Sequence, residues 1–340
     1  MLTLETGGDA RFFTEAASET ELLEALGWAR AAALPVLILG GGSNLVLSDA
    51  GFPGLVVRLA TRGIEVVPPA APSADAAEVF VDVAAGEVWD NFVALAVELG
   101  LCGIECLSGI PGCAGATPLQ NVGAYGQEVA QVISSVCVLD RSEQRLLTLG
   151  CAECHFAYRS SRFKHEDRER FVVLSVRFRL RRGAPTLPRS PELLKRLPDD
   201  APSLQQIRDA VLFTRRQKSM VWDKADPNHR SCGSFFMNPI LTALELAALL
   251  ERAPAPPPCY PEPDGRTKVA AAWLIEQAGL QRGTRDGNVG LSTEHTLAVV
   301  AHAGATTEDV VRFARKVRDA VLLRFGVTLH PEPVFVGIDW

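Results

Sequence analysis

The sequence predicts an α+β protein built from more than one domain. Three observations carry that expectation. The chain has 340 residues, more than one ordinary core absorbs. Helical and alternating apolar periods both occur, interleaved along the chain. Pro- and Ala-rich breaks divide it at "VPPAAPSADAAE" (67–78) and "RRGAPTLPRSPELL" (181–194).

The elements follow in order. "SETELLEALGWARAAALP" opens with a capping box, Ser18 and Glu21. Leu22, Leu26, Ala29 and Ala33 then recur at helical spacing before Pro35. "PVLIL" reads as a buried strand, and "GLVVRL" and "IEVV" as further strands. After the first break come a strand, "VFVDVAA", and a helix from about Glu87 to Leu99, closed by Gly100. Residues 103–127 are rich in Gly, Pro and Asn and read as structureless. In "FVVLSVRFRL", Val172, Leu174, Val176, Phe178 and Leu180 alternate as in a half-buried strand. Helices are expected at 203–217, 241–252, over "KVAAAWLIEQAGL" and from Glu308 to Phe325, with a strand at 296–302 and a strand-like tail. Thr306/Thr307 and Gly326 cap the last helix.

Composition narrows the function. Hydrophobic residues make up 47% and charged residues 22%, an ordinary globular mixture. A net charge of −6 argues against a nucleic-acid partner. The basic runs Arg179, Arg181, Arg182 and Arg215, Arg216, Lys218 read as solvated faces. No apolar run has the length of a membrane span, and the opening residues lack the pattern of a signal peptide. The expectation is a cytoplasmic chain with reduced cysteines, no membrane insertion and no obligate protein partner. "CAECH" (151–155) matches the attachment motif for c-type haem. That attachment occurs outside the cytoplasm, so a chance match is the better reading. With no second CxxC, a zinc site is unsupported, and no metal is expected.

Five stretches have residue types suited to chemistry. "LGGGSN" places Gly40, Gly41 and Gly42 after a strand, followed by Ser43 and Asn44. It has neither the third glycine of a dinucleotide fingerprint nor the Gly-Lys of a P-loop. It is either a nest of N–H groups for an anion or a tight turn. "GIPGCAGATPLQNVGAYGQE" (109–128) reads as a binding loop, with Thr117, Gln120 and Asn121 as polar members. Ile110, Pro111, Val122 and Tyr125 argue against full solvation. In "FAYRSSRFK", Arg159 suits a carboxylate or a developing negative charge. In "SCGSFFMNP", Ser234 beside two phenylalanines suits a dry proton-transfer site or a helix N-cap. In "HPEPVFVG", Glu332 lies between two prolines, where desolvation would suit acid/base work.

Taken in order, "LGGGSN", "SGIPGCAGATPLQNVGAYGQE", "YRSSRFK", "GSFFMNP", "AAWLIEQAGL" and "PEPVFVG" resemble the UDP-N-acetylenolpyruvoylglucosamine reductase family, from about residue 8 to the end. The resemblance implies a flavoenzyme of peptidoglycan synthesis. It implies a two-part FAD-binding module of the vanillyl-alcohol-oxidase type and a C-terminal α+β substrate domain. The implied division is 1–66, with the tail 330–340 returning to it, then 67–215, then the substrate domain at 216–329. FAD, held non-covalently, would pass hydride from NADPH to the enolpyruvyl ether of a UDP-sugar. Arg159, Ser234 and Glu332 match the catalytic positions. Gly40, Gly41, Gly42, Ser43 and Asn44 would form the cofactor site with Ile110, Pro111, Gly112, Gly115, Ala116, Thr117, Gln120, Asn121, Gly123 and Ala124. Tyr125, Lys218 and Asn238 match substrate contacts, with Lys224 as an alternative to Lys218. Some members carry a tyrosine over the substrate where Ser190 stands here. A related flavin oxidase for a small alcohol or sugar is the rival reading. Several such oxidases tether flavin through a histidine in the glycine loop, and none stands here.

Overall fold

A computed structural model describes residues 2–67, 77–198 and 201–340. The centre of the first break therefore lies outside the described residues. The first part of the chain runs β1 (Ala10–Ala16), α1 (Glu19–Ala31), β2 (Val36–Leu39), β3 (Leu45–Leu47), β4 (Phe52–Leu59), β5 (Ile64–Val67), β6 (Glu78–Ala84) and α2 (Trp89–Glu98). Then come β7 (Leu101–Cys102), β8 (Gly123–Ala124), β9 (Gln127–Glu128), β10 (Ile133–Asp140), β11 (Arg145–Gly150) and β12 (Phe171–Arg182). The short helix α3 (Pro191–Leu194) and α4 (Leu204–Gln217) follow. The remainder holds β13 (Ile240–Leu241), α5 (Ala243–Arg252), β14 (Cys259–Pro261), β15 (Thr267–Val269), α6 (Ala271–Gln277), β16 (Arg285–Asp286), β17 (Val289–Leu291), β18 (Val299–Ala301), α7 (Thr307–Phe325) and β19 (Val334–Val336).

Two compact units result. The larger comprises Ala10–Gly41 and Pro53–Arg216; the smaller comprises Met1–Asp9, Gly42–Phe52 and Gln217–Trp340. Each has its own core. In the larger unit, β1, β4 and β2 form a three-stranded sheet, and β11-β10-β12-β6-β5 form the spine of a six-stranded one. Trp89, Phe92 and Phe178 are fully buried together, with Phe92 and Phe178 ring centroids 5.0 Å apart. Each contributes about 1.5–3 kcal/mol by leaving water. In the smaller unit, β19 runs parallel to β3, and α7 buries Val310, Phe313, Val317 and Val321 along one face.

Local rules explain most boundaries. Ser18 accepts the Glu21 N–H at 3.2 Å, but Glu21 reaches back to the Ala17 N–H, one residue before the capping-box target. Gly100 at φ 70° and Gly326 at φ 72° close α2 and α7 in the left-handed region. Three expectations change. β2 lies at the edge of its sheet, and only Leu39 of it is buried. The alternation of β12 is interrupted by a bulge, where Cys137 faces Ser175 but Val138 faces Val173. Lys268 and Val269 are strand, not helix, because Lys268 pairs with both Ile240 and Tyr260.

One buried carboxylate shapes the turn after β10. Asp140 accepts from the Ser142 N–H and hydroxyl, the Glu143 N–H and the Arg170 guanidinium. The Arg170 bond, foremost, holds its carboxyl well below the ordinary value. A depressed folded pKa stabilises above the unfolded value near 3.9, and the gain is lost as pH falls toward the folded one. Asp140→Asn should lower stability at neutral pH by about 1–3 kcal/mol. It should also flatten the loss of stability below about pH 4, as measured by urea unfolding across pH.

Candidate active site

The predicted residues fall into two sets, one in each unit. In the larger unit, Gly40 and Gly41 leave β2 and meet the 109–128 segment. A Cβ on Gly41 would lie 2.7 Å from the Gly112 Cα, and one on Gly40 would lie 3.7 Å from the Cys113 Cβ. The glycine turn is thus close to the second glycine-rich stretch of its own chain. Gly115 packs more tightly still, since its Cβ would run into the Ala85 Cβ. The 3-10 turn Ala114–Ala116 is tied to the end of β6 and the start of α2 by Ala114 N–H to Glu87 O and Gly115 N–H to Ala85 O, both 2.9 Å. The Thr117 hydroxyl donates to Ala114 O at 2.7 Å and is buried. Ile110 packs on the core, and Pro111, Ala116 and Gln120 are half-buried.

These residues fit an extended dinucleotide. Two side-chain-poor backbones lie in contact, which lets main-chain N–H groups approach a pyrophosphate closely. Gly41→Ala should cost about 1–3 kcal/mol from overpacking and release flavin. Thermal unfolding and flavin fluorescence of the filtrate measure the two effects; unchanged values in both would refute the close packing.

The segment then makes a hairpin the sequence reading missed. β8 and β9 pair through Ala124 and Gln127, with Tyr125 at φ 53° and Gly126 at φ 97° between them. Two positive φ values make this a type I′ turn, usually Asn-Gly. Tyr125 accepts that conformation while hydrogen-bonding Arg215, and it packs beside Cys106, Leu193 and Ile207. Arg215 is half-buried, so its reading as part of a solvated face is corrected; burial pushes its guanidinium pKa down. The Arg189 N–H bonds Tyr125 O at 2.7 Å, and Ser190 caps α3.

Arg159 sits beside this hairpin. Its Nη2 donates to Gly123 O at 2.6 Å and its Nη1 to Asn121 O at 3.4 Å. Its guanidinium lies 5.2 Å from the Tyr158 ring centroid. A Cβ on Gly123 would lie 2.6 Å from the Glu128 Cγ, 2.9 Å from Gln127 O and 3.2 Å from Nη1, which explains that glycine. The Asn121 side chain bonds Glu128, Ala157 O and the Ala130 N–H, so it fastens the hairpin to the arginine's loop. Asn121, Tyr125 and Arg159 all have positive φ, at 46°, 53° and 52°. Such strained non-glycine residues cluster where surrounding structure holds a functional geometry.

In the smaller unit, backbone pairing sets the segment after Ser234 beside the segment of Glu332. Phe235 N–H bonds Leu297 O at 2.7 Å, while Glu332 N–H bonds Phe235 O at 2.9 Å. Met237 N–H reaches His330 O, and Phe236 bridges Pro331. Ser234 itself bridges Ala298, so the alternative of a helix N-cap is set aside. Both Ser234 and Glu332 are half-buried beside the fully buried Phe235 and Phe236. Asn44 belongs to the same cluster: its Nδ2 lies 3.5 Å from Glu332 O, and its carbonyl accepts from Val334 N–H at 3.0 Å. Gly42, at φ 65°, accepts the Thr3 N–H, and Ser43 is half-buried. Burial, with Glu332 as the second cause, pushes the Cys232 thiol up to about 12. The Asn238 Oδ1 accepts from Ala271 N–H at 2.9 Å and so caps α6. Lys218 is half-buried, whereas Lys224 is exposed.

Comparison with known proteins bears on both units. Residues 226–336 match the family model described as UDP-N-acetylenolpyruvoylglucosamine reductase, C-terminal domain, and residues 10–148 match an FAD binding domain. A reductase of that name from Thermobifida fusca (strain YX) is 47% identical, covering 99% of this chain and 95% of its own. Another, from Salinispora arenicola (strain CNS-205), is 48% identical over 98% of this chain and 93% of its own. The chain belongs to the UDP-N-acetylenolpyruvoylglucosamine reductase family. It is an FAD-containing oxidoreductase of a family that serves peptidoglycan synthesis, with NADPH as reductant. The α+β class stands. A crystal structure of the enzyme from Thermus caldophilus shares the fold, with a TM-score of 0.64 at 24% identity over 98% of this chain and 95% of that one. Among the described residues no helix is long and apolar enough to cross a membrane.

Sequence reading overlooked the supports of the 109–128 segment. Asp90 accepts the Gly109 N–H at 2.6 Å and a bidentate pair from Arg208 at 2.7 and 2.9 Å. Nothing in the local sequence marks that pairing, because its members stand 118 residues apart. Asn228 binds the Ser219 and Thr293 hydroxyls and the Thr293 N–H, anchoring the residue next to Lys218. The backbone at Ser219, φ 53°, is visible only in the structure.

Proposed function

We propose that the chain reduces the enolpyruvyl ether of UDP-N-acetylglucosamine-enolpyruvate to UDP-N-acetylmuramate. The observation that supports this most is the backbone pairing of Phe235 and Phe236, the residues after Ser234, with Glu332 and Pro331, together with Asn44 on the Glu332 carbonyl. The glycine turn and the 109–124 stretch would hold FAD, which, once reduced by NADPH, would supply hydride to the vinyl carbon remote from the carboxylate. The chain's own residues manage the charge that results. Negative charge builds on the carbon next to the carboxylate and spreads into it as an enolate. Arg159, held on two backbone carbonyls, stabilises that charge. Glu332 supports it as an acid or hydrogen-bond partner, and Ser234 delivers the proton. A serine hydroxyl is a weak acid, so it suits only a strongly basic carbanion and must be reprotonated from its surroundings. Lys218 binds the phosphate region, and Tyr125 and Asn238 face the substrate. The glycine turn and the 109–124 stretch hold FAD without a covalent bond.

This reading places the protein in the cytoplasm, where NADPH and UDP-sugars are found. It is tested under anaerobic conditions with the purified yellow protein. NADPH should bleach the flavin, and the enolpyruvyl ether should restore the colour. Denaturation should release the flavin. A flavin that bleaches with a small alcohol and recovers only with oxygen would establish the oxidase reading instead.

A further inference from the structure

The "CAEC" stretch plays no part in the proposed reaction, yet its geometry is specific. Cys151–Cys154 form a 3-10 helix at the end of β11. In that helix side chains at i and i+3 eclipse, and three residues rise about 6 Å. That spacing falls inside the Cα separation of roughly 4.4–6.8 Å that a disulfide spans. The Cys154 thiol donates back to Gly150 O at 3.4 Å, so its sulfur lies toward the Cys151 end of the turn. The Cys151 thiol donates to Ala130 O at 3.5 Å. Both thiols are reduced; Cys151 is half-buried and Cys154 fully buried. Two charged groups bracket the turn. Glu153 accepts the Gly150 N–H, and Arg162 donates its Nη1 to Glu153 O and its backbone N–H to Cys154 O.

We propose that Cys151 and Cys154 are a peroxide-sensitive dithiol that closes reversibly into an intrahelical disulfide. Cys151, the more accessible sulfur, attacks a hydroperoxide. An S–O bond forms, the O–O bond breaks, and the other oxygen leaves as water after taking the thiol's proton. The Cys154 sulfur then attacks the sulfenic sulfur of Cys151. The S–S bond forms, the S–O bond breaks, and the hydroxyl leaves as water with the Cys154 proton. Two thiols lose two electrons, and one hydrogen peroxide becomes two waters. Burial pushes the Cys154 thiol up to about 12, so it stays protonated and does not itself attack the peroxide. Ring closure therefore protects Cys151 from passing on to sulfinic acid.

The test uses the full, flavin-loaded chain treated with hydrogen peroxide, then alkylated and cut with trypsin. Cleavage after Arg145 and Arg159 leaves both cysteines in one peptide, residues 146–159. That peptide should be lighter by two hydrogen atoms and closed to alkylation, and dithiothreitol should reopen both thiols. In Cys154→Ser, Cys151 should gain oxygen atoms instead; in Cys151→Ser, Cys154 should stay reduced. The inference is overturned if wild-type peptide 146–159 is doubly alkylated after peroxide while other cysteines are oxidised. It is equally overturned if Cys151 gains oxygen as readily in the wild type as in Cys154→Ser. Wild-type mapping decides the question even if a variant fails to fold.

Discussion

Replacing Ser234 with alanine is expected to cut turnover of the enol ether by about 100- to 10,000-fold, with NADPH still bleaching the flavin at nearly the wild-type rate. The asymmetry follows from the position of the hydroxyl. Ser234 lies in an isolated bridge to Ala298, ahead of two fully buried phenylalanines. Removing one oxygen leaves the backbone pairing of 235–237 with 330–332 intact, because those bonds are main chain. The loss should therefore be chemical, not structural. Stopped-flow absorbance of each half-reaction measures it. Survival of both half-reactions would remove the proton from Ser234.

Arg159→Lys is expected to lower turnover by about 100- to 1,000-fold and to leave flavin reduction unchanged. Lysine has no planar fork, and its three N–H donors leave at most one for a carboxylate once two carbonyls are bound, so bidentate contact is lost. In the native site Nη2 and Nη1 reach Gly123 O and Asn121 O, so the guanidinium plane is fixed before substrate arrives. Gly123→Ala is the companion variant, since the added methyl would press on the Glu128 Cγ and Gln127 O of the hairpin from 2.6 and 2.9 Å, and on Nη1 from 3.2 Å, without removing any charge. It should slow the same half-reaction by a smaller factor. A kinetically silent Arg159→Lys would refute the role given to the arginine.

The fold was legible where local rules dominate. Ser18, Gly100, Thr306 and Gly326 announce helix ends through their own chemistry, and the structure places the ends of α1, α2 and α7 within a residue or two of them. Strand identity was read correctly along β6 and β12, but the bulge at Val173–Ser175 was not, since register depends on a partner strand far away in sequence. The same distinction governs the site. The glycines at 40–42 and 109–126 mark close approach, and the structure shows that Gly41 approaches Gly112 itself. The type I′ turn at Tyr125–Gly126 was hidden because tyrosine rarely takes positive φ, and only its neighbours hold it there. The Asp90–Arg208 ion pair and the Arg215–Tyr125 bond were hidden because pairings between distant residues leave no periodic trace.

The most direct measurement is the stoichiometry of turnover. Purified protein is given NADPH and UDP-N-acetylglucosamine-enolpyruvate, and NADPH loss is followed while the UDP-sugar product is weighed by mass spectrometry. One NADPH should disappear for each product molecule, the product should be heavier than the substrate by two hydrogen atoms, and no peroxide should accumulate. NADPH loss that ignores the enol ether, or that matches peroxide formed in place of a reduced sugar, would contradict the reductase reading.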